Sequence, residues 1–155
     1  MTTKHLAKNL HHVYFGRNWT GSKGFKDAIN TVSLEEASKK TNGFNTIFAL
    51  TYHIHYYVKG TMDVLKGGTL DIRDKYSVDY PTLKTEMEWQ AFKDNLWSEA
   101  KEFIGLIEAL DDAILHSIFV EEKYGSYYRN LLGIIEHTHY HLGQIVIIKK
   151  MICLN

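Results

Sequence analysis

Pro81 is the only proline in 155 residues, and apolar side chains recur every three or four positions through most of the chain. Proline and clustered glycine are the strongest local breakers of helix. A chain this poor in breakers and this regular in helical period predicts an almost wholly helical fold. Four long helices can be read. The first spans about Thr3 to Arg17 and ends before the Gly16/Gly21/Gly24 cluster. The second follows Asn42-Gly43 and stops near Lys66, before Gly67-Gly68. The third begins near Thr85 and runs to about Leu110, with Trp89, Phe92, Leu96, Phe103, Ile107 and Leu110 recurring at helical spacing. The fourth follows Gly125-Ser126 and reaches about Ile152. Between the first two, Ser33 with Glu36 three residues later predicts a short capped helical piece. Residues 67–83 form a long connection that carries Asp71-Ile72-Arg73-Asp74. Residues 111–126 read as irregular and partly extended around Ile118-Phe119-Val120. The expectation is all-α: one domain over 1–155, a four-helix bundle with long connections after helices one and two.

Charge narrows the partners. Lys plus Arg and Asp plus Glu are equal at 18 each, so no bulk field draws the chain to nucleic acid or to an anionic membrane. No run of about eighteen apolar residues predicts a membrane span. The start, Met1-Thr2-Thr3-Lys4-His5, lacks the apolar region of a secretory signal. Asn18-Trp19-Thr20 therefore reads as a chance match to a glycosylation pattern. The lone Cys153 forms neither an intrachain disulfide nor a cysteine-based zinc site. A reducing, cytoplasmic setting is expected.

The chemistry resides in histidines. Ile134-Ile135-Glu136-His137-Thr138-His139-Tyr140-His141-Leu142-Gly143-Gln144 carries His137 and His141 one helical turn apart. Four residues at about 100° each bring the second imidazole back over the first. Two histidines so spaced can share one metal ion. On a helical wheel His141 faces the apolar side formed by Leu131, Ile134, Ile135, Thr138, Leu142, Ile145 and Val146. His137 lies at its edge beside Gln144, and His139 projects to the solvated margin. On the second helix His53 projects inward with Leu50, Ile54 and Tyr57, whereas His55 projects to nearly the opposite side with Lys66. Three neutral imidazoles around a divalent ion leave a position open, as catalytic rather than closed structural sites do. The competing reading keeps these histidines in the core, bonded to tyrosines. Glu136-x-x-His139 fits one element of a di-iron bundle, but no second such element exists and Glu136 projects outward. His11-His12 on the first helix could add a ligand or line the pocket, but a surface role is favoured. Arg129, at the start of the fourth helix, suits either an anionic substrate group or a surface ion pair. No nucleophile elbow, phosphate-binding loop or dinucleotide fingerprint is present.

His137-x-x-x-His141-x-Gly143-Gln144 on a last helix, with His53 on the second, resembles the DinB/YfiT-like superfamily of metal-dependent four-helix bundles. The likeness spans most of the chain, including Asn18-Trp19-Thr20-Gly21, and looks closest to an uncharacterised DinB-like subgroup. It implies an up-down-down-up bundle, and His53, His137 and His141 as ligands of zinc, nickel or a similar ion. It also implies frequent homodimers. For characterised relatives it implies transferase or isomerase chemistry with low-molecular-weight thiols such as bacillithiol or mycothiol. Leu142 stands where many relatives carry Arg, so that side chain is missing for any role in substrate binding.

The leading expectation is a thiol S-transferase or related hydrolase acting on a small electrophilic substrate. Gln144 would orient a ligand from behind, and Tyr57 would donate a hydrogen bond in the pocket or simply pack. The alternatives are a non-catalytic metal-binding bundle, in stress response or as a binding module, and a plain helical dimer with satisfied histidines.

Overall fold

The computed structural model describes residues 1–16, 23–41 and 43–153. The Asn18-Trp19-Thr20-Gly21 element and Asn42 lie outside these residues. Six α-helices and no strand occur among them: α1 (Thr3–Phe15), α2 (Phe25–Ile29), α3 (Leu34–Ser38), α4 (Ile47–Leu65), α5 (Glu86–Ala109) and α6 (Tyr127–Cys153). Each long helix begins where a side chain satisfies an orphan backbone N–H. Thr2 accepts from His5 N–H, Thr46 from Ala49 N–H and Thr85 from Glu88 N–H. Ser126 Oγ accepts from Arg129 N–H at 3.2 Å. Ser33 and Glu36 form the expected capping box on α3, and Thr85 with Glu88 forms a second on α5.

Two boundaries differ from expectation. The second long helix starts at Ile47, not after Asn42-Gly43, because Thr46 takes the cap. Gly43, at φ 79°, instead belongs to a tight turn in which Phe44 N–H donates to Thr41 O. The segment 111–126 holds two 3-10 turns, Asp112–His116 and Glu122–Tyr124. Of the extended stretch expected there, one isolated bridge between Ile118 and Ser126 remains. Helix α2 carries no capping signature that would announce it. It is held by burying Phe25, Ala28 and Ile29 in the common core.

The four longer helices pack in the cyclic order α1, α5, α4, α6 and back to α1, around one apolar core. Helices α1 and α5 meet through Phe15 with Trp97, and through Thr3 Oγ1, which donates to Leu110 O. Helices α4 and α5 meet through Phe48 with Trp89, then Tyr52 with Phe92, then Lys66 with Glu102 at 2.7 Å. His55 lies in that same seam. It is buried, with Nε2 at 2.9 Å from Glu99 Oε2, so the side opposite His53 is a helix interface and not solvent. Helices α4 and α6 meet through the histidines.

Candidate metal centre

Leu50, Ile54 and Val58 of α4 and Ile134, Ile135, Leu142 and Ile145 of α6 are buried in one apolar cluster. Polar neighbours of the histidines survive there because each finds a partner on its own helix. Thr51 Oγ1 donates to Ile47 O and Thr138 Oγ1 to Ile134 O, both at 2.7 Å. Such back-bonding removes the cost of an unpaired buried hydroxyl. At the edge of this apolar seam His53, His137 and His141 meet, each half-buried.

Their Nε2 atoms converge. His137 Nε2 lies 3.0 Å from His53 Nε2 and 3.1 Å from His141 Nε2. His141 Nδ1 is 2.8 Å from Gln144 Oε1, one turn further along α6. A ring N–H donating to that carbonyl oxygen leaves His141 Nε2 as a bare lone pair aimed at the other two rings. His53 Nδ1 is buried without a hydrogen-bond partner. A single proton can bridge only one pair of the three converging nitrogens, so a lone pair still faces a lone pair. A divalent ion resolves this. Metal–imidazole bonds of about 2.0–2.1 Å place neighbouring ligand nitrogens about 2.9 Å apart at right angles and about 3.3 Å apart at the tetrahedral angle. The observed spacings fall within that interval, and the donor set is one that zinc and nickel accept.

Electrostatics favour the neutral form of His137 and His53. Burial, then the charges of His141 and His53, push the His137 imidazole down to about 4. Burial, followed by the charge of His141, also lowers His53. At neutral pH neither of these two rings has to lose a proton before a cation binds. The sign for stability follows. Between the ordinary imidazole value of about 6.5 and about 4, the unfolded chain binds the His137 proton and the folded chain does not. The metal-free fold is thus unaffected by this proton above about pH 6.5 and loses stability as pH falls from there toward 4. Urea midpoints measured from pH 7.5 to 4.5 should fall over that window, and His137→Gln should flatten the slope. An equal slope in the variant would contradict the assignment.

His137 opens on a cavity of about 590 Å³. One wall is the segment after α4. Tyr56 OH donates to Arg73 O at 3.1 Å and accepts from Arg73 N–H at 2.9 Å, while Tyr57 OH donates to Asp74 Oδ1 at 2.8 Å. The Tyr57 ring stands edge-on to both His53 and His137, with centroids 5.0 Å away. Phe119, Lys123 and Tyr124 line the same cavity, with Arg129 and Asn130 of α6. Both long connections therefore line the space beside the histidines. A smaller cavity of about 320 Å³ lies against His53 and His141, lined by Asn45, Ala49, Leu50, Val78 and Tyr80.

Gly60 sets how closely the first wall approaches α4, since a Cβ there would overlap Ile72 Cγ2. Gly60→Ala would gain up to about 1 kcal/mol in helix propensity, but overpacking costs about 1–3 kcal/mol. A net loss of stability is expected in thermal melts, together with faster hydrogen exchange at Ile72 and Arg73. A more stable variant with unchanged exchange would refute this contact.

The structure brings His53, His137 and His141 together, puts Tyr57 and Gln144 in contact with them, and places Arg129 on the cavity wall. His139, Glu136, His11 and His12 are exposed and away from the cluster. Among the described residues, this trio is the one group of three or more potential ligands able to hold a metal ion, with ligand atoms all within 4.8 Å of one another. Arg73 and Asp74 were not singled out in the sequence, which shows only a charged string in a long connection. The profile of the DinB superfamily matches residues 23–145. The chain belongs to the DinB superfamily. No curated protein and no solved structure matches it significantly. The described residues of this DinB-like protein form helices and no strand and carry a three-histidine cluster, and no helix among them is long and apolar enough to cross a membrane.

Proposed function

We propose that His53, His137 and His141 hold one divalent ion, zinc or nickel, and that the protein is a low-molecular-weight-thiol S-transferase or a related hydrolase. The observation that carries this reading is the convergence of three Nε2 atoms at 3.0 and 3.1 Å beside an open cavity. A closed four-ligand sphere would suit a purely structural ion; three ligands and a cavity suit a reacting one. When bound, a divalent ion supplies the positive charge that lowers the pKa of a thiol or of water to near neutrality.

The chain's own groups do the rest. Gln144 fixes the His141 tautomer and ring orientation, as hydrogen-bond partners of metal-binding imidazoles do. Burial, then the hydrogen bond to Asp74, raises Tyr57 above the usual phenol range, so its hydroxyl stays protonated as a donor on the cavity wall. The cavity holds the thiol and a small electrophile side by side. The sulfur forms the new bond to carbon, the leaving group departs with its electron pair, and the thiol proton passes to solvent.

The same reading takes 1–155 as one domain in a cytoplasmic homodimer. It also takes the long helices as up-down-down-up. The contacts that advance in step along α4 and α5, and in opposite order along α4 with α6 and α1 with α5, support this order.

The test supplies the protein with zinc or nickel and follows adduct formation between small thiols and monochlorobimane. A rate above the spontaneous one, lost on chelation and in His141→Ala, is expected. A rate indifferent to metal and to that substitution would sink the reading.

A further inference from the structure

The chain carries no net charge, yet charge is not spread evenly around the histidines. The cavity beside His137 is lined by Arg73, Lys123 and Arg129 against one carboxylate, Asp74. Asp74 is occupied by the Tyr57 hydroxyl, and Lys123 by Glu121 at 3.0 Å. Arg73 and Arg129 have no carboxylate within ion-pair distance among the described residues. The backbone of Arg73 is held at both its N–H and its carbonyl by Tyr56 OH. Arg129 lies in the first turn of α6, with its side chain against Gly125. The cavity on the other side of the trio, against His53 and His141, has no Lys, Arg, Asp or Glu in its lining.

From this juxtaposition we infer that Arg73 and Arg129 form an anion subsite, which binds a carboxylate or phosphate group of the ligand whose reacting end lies at His137. Two arginines lining one cavity, one from the segment after α4 and one from α6, suit such a group because each guanidinium offers a planar fork of donors to paired oxygens. The charge also assigns the sides of the trio. The anionic reactant enters at His137, and an uncharged partner occupies the smaller cavity. Tyr57 and Asn130 add uncharged polar side chains to the lining of the same cavity. The inference rests on the proposed reading for what reacts at the histidines; the anion subsite itself does not need a metal.

The test is calorimetric. Zinc-supplemented protein is titrated with ω-mercaptocarboxylates of two to six carbons, with 2-mercaptoethanol, and with succinate and inorganic phosphate. The best mercaptocarboxylate should bind about tenfold or more tightly than 2-mercaptoethanol, the factor expected of a charge-assisted hydrogen bond. That advantage should vanish in Arg73→Gln/Arg129→Gln while 2-mercaptoethanol binding persists. Succinate against phosphate tells a carboxylate site from a phosphate site. If 2-mercaptoethanol binds but neither a carboxylate nor phosphate adds affinity, the subsite is overturned and the metal reading stands. If no thiol binds but succinate or phosphate binds in an arginine-dependent way, the subsite stands and the thiol reading falls. No binding of any probe overturns both.

Discussion

Alanine at His137 removes the thermal response of the protein to zinc. In the wild type, a ligand that binds the folded state alone adds about 2.7 kcal/mol at a concentration 100 times its dissociation constant. For a chain of this length that amounts to a rise of roughly 5–10 °C in Tm. His137 is the residue to remove because both short nitrogen contacts run through it, to His53 at 3.0 Å and to His141 at 3.1 Å. Without it two imidazoles on different helices remain, and two ligands hold a divalent ion far less well than three. The metal-free melting point should change little, because the lost ring is half-buried and its removal relieves crowded lone pairs. Melts of wild type and variant, with and without zinc, measure both effects. A variant that still rises with zinc as the wild type does would mean the ion binds elsewhere.

The largest effect on stability is expected at Trp89. Its side chain is fully buried, and its Nε1–H donates to Val32 O at 2.8 Å, tying the stretch between α2 and α3 to α5. It stacks on Phe92 with centroids at 5.8 Å and meets Phe48 of α4 edge-on at 5.6 Å. Trp89→Ala deletes the ring, leaves a cavity and strands a buried carbonyl, a change that costs about 3–5 kcal/mol. Trp89→Phe keeps most of the packing and loses the hydrogen bond, so its cost should be about 1–2 kcal/mol. Urea unfolding at pH 7.5 separates the two variants. A cost below about 1 kcal/mol for Trp89→Ala would contradict a core centred on this cluster.

Helical period and side-chain caps were legible, because both are local. Ser33 with Glu36 announced α3, and the apolar positions of α6 from Leu131 to Ile145 are those the structure buries. The start of α4 was misplaced because Asn42-Gly43 resembles a helix boundary. The decision rests on whether Thr46 can reach Ala49 N–H, and it does, at 3.0 Å. Helix α2 was invisible: five residues without a side-chain cap stand only by tertiary burial. The pair His137 and His141 could be read from spacing, and His53 from its apolar neighbours. Arg73 and Asp74 could not, because their place beside the histidines depends on hydroxyls of Tyr56 and Tyr57, 17 residues earlier in the chain. Likewise, helical projection separated His55 from His53 without revealing Glu99 of α5 as its partner.

Elemental analysis tests the central claim most directly. The protein is purified without a polyhistidine tag or added metal, beside a His53→Ala/His141→Ala variant prepared in the same way. The account predicts about one equivalent of zinc or nickel per chain in the wild type and none in the variant. A wild type that carries no metal and takes up neither ion when it is offered, or a variant that retains the full equivalent, would contradict it.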